Sequence, residues 1–256
     1  GLGTALGARW GARPVRDADR ATYLGELAGA CRFARANRLV VTHPEKGMLG
    51  AKSTRIAIAI ARPTEVTPRD EEATRDARKA LDPGARTLDV PVPFLAHMLD
   101  AVARHGLFDL AIHARGDLEI DAHHTVEDIG LVLGAALDQA LGQRAGIHRF
   151  GHFSLCMDET LVDCALDLGG RPYLVFELPV IAGRRVGGFD CDLVREFFQA
   201  LVVQARMNLH LHLRAGGNVH HVVEAAFKGF ARALRMAASP DPLSAGVVPS
   251  TKGNLV

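Results

Sequence analysis

The sequence predicts an α+β protein made by internal duplication of one α/β unit. A histidine-rich turn occurs twice, as Asp121-Ala122-His123-His124-Thr125-Val126-Glu127-Asp128 and as Val219-His220-His221-Val222-Val223-Glu224-Ala225. Each copy opens an apolar run with helical spacing, through Ile129, Val132, Leu133, Ala136, Leu137 and Leu141 in one and Phe227, Phe230, Ala231 and Leu234 in the other. Each is also preceded by a similar strand and turn: Leu110 to Asp117 (LAIHARGD) answers to Leu209 to Gly216 (LHLHLRAG). Self-similarity over about a hundred residues means two packed copies of one unit, since solenoids repeat every ~20–50 residues.

The chain of 256 residues can bury a full core in one or two domains. Its apolar fraction of 48% and charged fraction of 23% are those of an ordinary globular protein. A net charge of +1 argues against a general nucleic-acid binder or a membrane-surface protein. No apolar run approaches the ~18 residues that span a bilayer. Cys31, Cys156, Cys164 and Cys191 form no C-x-x-C pair and read as reduced thiols of an intracellular protein. Twelve histidines against four scattered cysteines favour nitrogen and oxygen ligation over a thiolate site.

In chain order, residues 1–50 read as an N-terminal extension, disordered or peripheral, with one short helix at 21–37. Asp17, Asp19 and Glu26 fit poorly with a transit peptide. The expected compartment is therefore the cytoplasm, with a plastid as the alternative. Ile56 to Ile60 alternates branched and small residues and predicts a strand packed on both faces. The charged stretch 62–85 reads as a solvated insertion. Thr87 to Val92 is a strand, Phe94 to Val102 opens a helix ending near His105-Gly106, and Phe108 to Ala114 is a strand leading through Gly116-Asp117 into the first histidine turn. The second half gives strands at Asp163 to Leu168 and Pro172 to Leu178, a helix at Leu193 to Ala205, a strand at Leu209 to Arg214 and a turn at Ala215 to Asn218. The domain thus spans 51–256, with half-repeats at about 51–150 and 151–256.

Residues four apart share a helix face, so His123 stands over Glu127 and His220 over Glu224, while His124 and His221 point roughly 100° away. One turn therefore offers an imidazole–carboxylate pair and a second imidazole aimed elsewhere, which suits two metals better than one. A single such turn would most simply be a helix cap; the duplication favours metal. His97 and His210 are further candidates in the helix after Pro93 and the strand before the second turn, giving two sets of three histidines and one carboxylate. Such sites suit Mn²⁺, Fe²⁺ or Zn²⁺. Asp128 could support a ligand imidazole or form a salt bridge. Arg149, Arg171, Lys228 and the tail Pro249-Ser250-Thr251-Lys252-Gly253 are candidates for a phosphate, each also readable as a surface charge or turn. His105, His113, His148, His152 and His212 are read as hydrogen-bonded or exposed, and His43 lies outside the compact region.

From about Arg86 to Leu255 the chain resembles the imidazoleglycerol-phosphate dehydratase family. The motifs are Phe94-Leu95-x-His97-Met98-Leu99, Gly116-Asp117-Leu118-x-Ile120-Asp121-x-His123-His124-Thr125-x-Glu127-Asp128, Arg149-Phe150-Gly151, Met157-Asp158-Glu159, Gly170-Arg171-Pro172-Tyr173, Asn218-x-His220-His221-x-x-Glu224-Ala225-x-Phe227-Lys228 and Pro249-Ser250-Thr251-Lys252-Gly253. The resemblance implies that each half packs helices on one face of a four-stranded sheet, a ribosomal protein S5 domain 2-like fold. It implies two Mn²⁺ per active site, built at subunit contacts of a homo-oligomer of 24 subunits. The implied hydro-lyase reaction takes water from D-erythro-imidazole-glycerol phosphate to give imidazole-acetol phosphate in histidine biosynthesis. The metal ligands it implies are His97, His123, His124, Glu127, His210, His220, His221 and Glu224, with Glu127, Glu224, His124 and His97 catalytic. The phosphate grip it implies is Arg149, Arg171, Lys228, Ser250 and Lys252.

Some residues depart from the family. Aligning the first strand on Ile56 to Ile60 puts Ser53-Thr54 where Glu-Thr is expected, and the nearest acid is Glu45. Ala96 stands for an Asp before His97, Ala101 for a Gln, and Pro91-Val92 for Thr-Gly. These changes keep two other readings in view: a weakened paralogue retaining metal-dependent assembly, and another two-metal enzyme acting on a phosphate substrate.

Overall fold

The computed structural model describes the backbone of residues 39–42 and 55–61, and residues 86–253 and 255 in full. The helix expected at 21–37, the insertion 62–85 and the residues Glu45, Ser53 and Thr54 lie outside the described residues.

The first half runs β1 (Leu39–Thr42), β2 (Arg55–Ala61), β3 (Arg86–Asp89), α1 (Pro93–Gly106), β4 (Asp109–Arg115) and α2 (His123–Leu141). The second repeats it as β5 (Phe150–Met157), β6 (Thr160–Asp167), β7 (Tyr173–Glu177), α3 (Leu193–Ala205), β10 (Asn208–Ala215) and α4 (Val219–Ala238), with a small hairpin of β8 (Arg185–Val186) and β9 (Phe189–Asp190) inserted before α3. The sheets have equivalent orders, β1-β2-β4-β3 and β5-β6-β10-β7. In each, the first three pair antiparallel and the last pair is parallel. The duplication read from the histidine turns therefore extends to the whole topology. The first half also begins earlier than residue 51, because β1 forms its edge strand.

Each half lays its helices on one face of its own sheet, and the helix layers then pack on each other, α1 against α4 and α2 against α3. Phe197, Phe198, Phe227 and Phe230 are buried where α3 meets α4, with the Phe198 and Phe227 rings 4.7 Å apart. Aromatic pairs at such spacing add to the hydrophobic burial that joins these two helices within the second half's layer. Between α2 and α3 the approach is closer still. A Cβ on Gly130 would lie 2.6 Å from the Phe197 carbonyl oxygen, and one on Gly134 2.4 Å from that of Leu201.

Local chemistry ends the helices where the site needs them. Pro93 opens α1, where its missing N–H costs nothing, and Leu107 closes it in the left-handed region. Asn218 caps α4, its side-chain oxygen accepting from the backbone N–H of His220 and His221 at 3.0 and 3.4 Å. At the start of α2, whose cap residue Ala122 has no side-chain acceptor, Asp121 accepts from the His123 N–H at 2.8 Å. At the junction of the halves, the buried Arg144 side chain donates to the carbonyls of Leu168, Ala205 and Arg206 at 2.9, 2.8 and 2.9 Å and pairs with Asp138.

Gly134→Ala is expected to destabilise the protein by about 1–3 kcal/mol, the range for overpacking a close contact. Denaturant unfolding measures it; stability within a few tenths of a kcal/mol of the parent would show that α2 and α3 can separate at no cost.

Candidate functional site

The site is built on the exposed N-terminal turns of α2 and α4 and on the α1 face packed against α4. His97 comes from the second turn of α1, His220 and Glu224 from the first turns of α4. Their ligand atoms all lie within 4.8 Å of one another, the sole such group of three found among the described residues. His220 Nε2 is 3.0 Å and His97 Nε2 3.6 Å from Glu224 Oε2, while Lys228 Nζ donates to Glu224 Oε1 at 2.7 Å. The Phe94 ring meets the His220 ring edge-on at 5.3 Å, which holds the imidazole upright. Burial would raise the Glu224 carboxyl, but the Lys228 ammonium and the imidazoles outweigh it and keep it below its ordinary range. Glu224 is therefore a nearly buried anion facing two imidazoles. That donor set fits a divalent cation.

The first turn is arranged likewise but more openly. His123 Nε2 stands 3.9 Å from Glu127 Oε2. His124 turns away and pairs its Nδ1 with Asp117 Oδ2 at 2.9 Å, a contact that raises its pKa. Asp117 makes this contact, in place of the Asp128 suggested by proximity in sequence. His221 pairs its Nδ1 with Glu159 Oε2 at 2.9 Å. Glu159 sits in the β5–β6 hairpin, where its Oε1 accepts from the Asn218 N–H at 3.1 Å and the Thr160 hydroxyl at 3.0 Å. Gly216, at φ +119°, lets this hairpin close on the turn before α4, since a Cβ there would lie 2.4 Å from Thr160 Oγ1.

The two candidates outside the turns occupy different elements of the repeat. His210 lies on β10, its ring 6.0 Å from His212, and its counterpart on β4 is Ala111. His97 on α1 answers to Glu196 on α3, because the left-handed caps Leu107 and Arg206 close the two helices at equivalent points. Glu196 is half-buried on the helix that packs against α2, one residue before Phe197, which abuts Gly130 one turn after Glu127. Sequence comparison of the histidine turns alone missed it; extending the repeat back through the preceding helix would have found it. The histidines read as structural include a matched pair: His113 Nδ1 meets Asp89 at 2.7 Å and His212 Nδ1 meets Glu177 at 2.9 Å, at equivalent registers of the two sheets.

A separate cleft of about 680 Å³ gathers Arg149, Arg171, Ser250 and Lys252 with Phe150, Gly169 and Thr251. Arg149 is held bidentate by Asp167 at 2.7 and 3.0 Å and donates to the Pro249 carbonyl at 2.7 Å. Among the described residues the side chains of Arg171 and Lys252 have no ion-pair partner. Unpaired cations beside a fixed guanidinium are the donor chemistry that an anion requires. Lys228 is placed on Glu224 and does not line this cleft.

Residues 90–234 match the family model described as imidazoleglycerol-phosphate dehydratase. A relative of that name from Cereibacter sphaeroides is 51% identical over 195 residues, covering 76% of this chain and 100% of the relative. Another from Geobacter metallireducens is 55% identical over 174 residues, covering 67% and 87%. The crystal structure of imidazoleglycerol-phosphate dehydratase from Staphylococcus aureus aligns with a TM-score of 0.62 and 33% identity over 79% of this chain and 99% of that one. The Pyrococcus furiosus enzyme in complex with (S)-C348 aligns with a TM-score of 0.60 and 31% identity, over 84% and 100%.

The Glu159 contact has a pH signature. The hydrogen bond from His221, then the N–H groups of Glu159 and Asn218 and the Thr160 hydroxyl, outweigh burial and pull the carboxyl down from 4.5 to about 2. A folded pKa below the unfolded one means that the contact contributes fully above 4.5 and is lost as pH falls through about 2. Carbon-13 NMR of the Glu159 carboxyl should show that low midpoint; titration at 4.5 would mean the carboxylate is not held.

Proposed function

The chain belongs to the imidazoleglycerol-phosphate dehydratase family, and on that premise we propose that its duplicated histidine turns form a di-manganese centre completed between subunits. As a member of that family it is a hydro-lyase of histidine biosynthesis that acts on imidazole-glycerol phosphate. The finer reading is that it converts the D-erythro substrate to imidazole-acetol phosphate in a large homo-oligomer, with 24 subunits expected.

One observation carries the metal reading: His97, His220 and Glu224 converge within 4.8 Å. Two imidazoles and a carboxylate make a nitrogen and oxygen donor set that suits Mn²⁺. The first set, His123 with Glu127, lacks a third donor from α1 and has Glu196 at the equivalent place on α3. His124 and His221 point away from both sets and are left to serve a neighbouring subunit. The exposed Ile120 and Leu118 beside the first turn, 68% and 39% accessible, suit burial in such a contact. His210 is the one implied ligand that lies on the β10 sheet face, away from the helix turns.

Divalent ions bound there would supply Lewis acidity toward the imidazole ring of the substrate. The chain's own groups do the rest. Dehydration needs a base for the proton on the carbon beside the ring and an acid for the departing hydroxyl. In this reading Glu127, Glu224, His97 and His124 hold or move those protons. Arg149, Arg171, Ser250 and Lys252 would hold the phosphate, with Asp167 fixing the Arg149 fork. Lys228, one turn beyond Glu224, serves that carboxylate as its counter-ion at 2.7 Å and is left out of the phosphate grip.

The primary test is turnover of imidazole-glycerol phosphate by metal-stripped protein titrated with Mn²⁺. Activity should rise and saturate with the metal; metal uptake without turnover would sink the dehydratase reading and keep the metal one. Arg171→Ala should raise KM about 10- to 150-fold, one charged hydrogen bond to phosphate being worth ~1.5–3 kcal/mol, with assembly intact. An unchanged KM removes Arg171 from the phosphate site.

A further inference from the structure

We propose that Asp117 and Glu159 are positioning residues that fix His124 and His221 as Nε2 metal donors. The proposal rests on the metal reading above and concerns what sets these two imidazoles. A neutral imidazole carries its proton on one nitrogen and its lone pair on the other. In His124 and His221 the nitrogen at hydrogen-bond distance from a carboxylate is Nδ1, 2.9 Å in both, while the nearest carboxylate oxygen to His221 Nε2, Asp158 Oδ2, stands off at 3.9 Å. The proton is thereby placed on Nδ1, and Nε2 is left with its lone pair.

The carboxylates come from different places in the two halves. Asp117 is in the turn that leads into α2, and its counterpart before α4 is Gly216. Glu159 comes from the β5–β6 hairpin, distant in sequence from α4. A salt bridge that only tied loops together could use either ring nitrogen. Two unrelated carboxylates selecting the same nitrogen point instead to a requirement of the imidazole itself. Asp117 is buried with its Oδ1 unpartnered, so among the described residues His124 is its one hydrogen-bond partner at that carboxylate, while Glu159 Oε1 is held by the N–H of Asn218, the residue that also caps the His220 and His221 amides. Hairpin, cap and imidazole form one unit, so His221 enters a metal site already oriented. Carboxylate partners of this kind hold ligand imidazoles and raise their basicity.

The test uses the full chain and its Glu159→Ala and Glu159→Gln variants. Calorimetric titration of the metal-stripped proteins with Mn²⁺ should show about 10- to 100-fold weaker binding for Glu159→Ala. Glu159→Gln, whose amide oxygen still accepts the Nδ1 proton, should lose less. Nitrogen-15 NMR of His221 in metal-free parent protein at mildly alkaline pH should show the Nδ1–H tautomer, and Glu159→Ala should lose it. A folded Glu159→Ala that binds Mn²⁺ as tightly as the parent, even with a lowered Tm, overturns the proposal and leaves the metal reading standing. An Nε2–H tautomer of His221 in the parent overturns it whether or not the variants fold. A parent that takes up no Mn²⁺ removes the metal reading first, and this proposal with it.

Discussion

The packing of α1 against α4 is the contact on which the site depends. The imidazole–carboxylate pair of α4 follows from helical spacing alone, and α2 has the same pair. What α4 gains is a third donor from outside its own helix, because α1 crosses it with His97 one turn from the Phe94 ring that steadies His220. Hydrophobic burial of the two helix layers thus sets a polar geometry at their exposed ends. Any change that shifts α1 along α4 separates His97 from Glu224 before it touches a ligand.

The duplication makes each half a control for the other. The bonds from the His123 N–H to Asp121 and from the His220 N–H to Asn218 are equivalent, as are the His123–Glu127 and His220–Glu224 pairs and the sheet-face pairs Asp89–His113 and Glu177–His212. The differences are therefore informative. Glu224 has Lys228 one turn on, where Glu127 is followed by Leu131, so only the second carboxylate carries its own counter-ion. That cation lets Glu224 be 7% accessible and still ionised, whereas Glu127 is more open to solvent. His97 against Glu196 is the second difference, an imidazole in one half and a carboxylate in the other at one position of the repeat. The two sets differ in charge although the backbone that presents them is the same.

Periodicity made most of this legible. The helix at Leu193 to Ala205 matches the sequence reading, and the motif helices begin at their histidine pairs. β5 escaped because its alternation runs against hydrophobicity. Phe150 faces outward at 58% accessibility over the Arg149 guanidinium, while Gly151 faces in, where a Cβ would lie 2.0 Å from the Ala233 carbonyl. A strand that buries glycine and exposes phenylalanine carries no readable pattern. Within the site, the convergence of Arg149, Arg171, Ser250 and Lys252 followed from the family motifs. The partners of the histidines did not, since Glu159 reaches His221 through a hairpin closure that no local spacing encodes. Arg144 was unreadable for a related reason: its acceptors are carbonyls at the ends of other elements, which every sequence has.

The departures from the family fall unevenly on this framework. Ala96 and Ala101 flank His97 on α1, yet His97 still reaches Glu224, held through the packing of Leu95, Met98 and Leu99, each at most 1% accessible. Loss of a polar neighbour therefore leaves the position of this imidazole to the hydrophobic face of its own helix. A ligand positioned by core packing moves only when the core moves, whereas His124 and His221 are each set by one carboxylate. The two kinds of support divide the site: α1 and α4 set their donors by the packing of the helices that carry them, and His124 and His221 are set by carboxylates at Nδ1. The second kind rests on single side-chain contacts, His124 on Asp117 and His221 on Glu159, and so lies apart from the packing that brings the three convergent donors together.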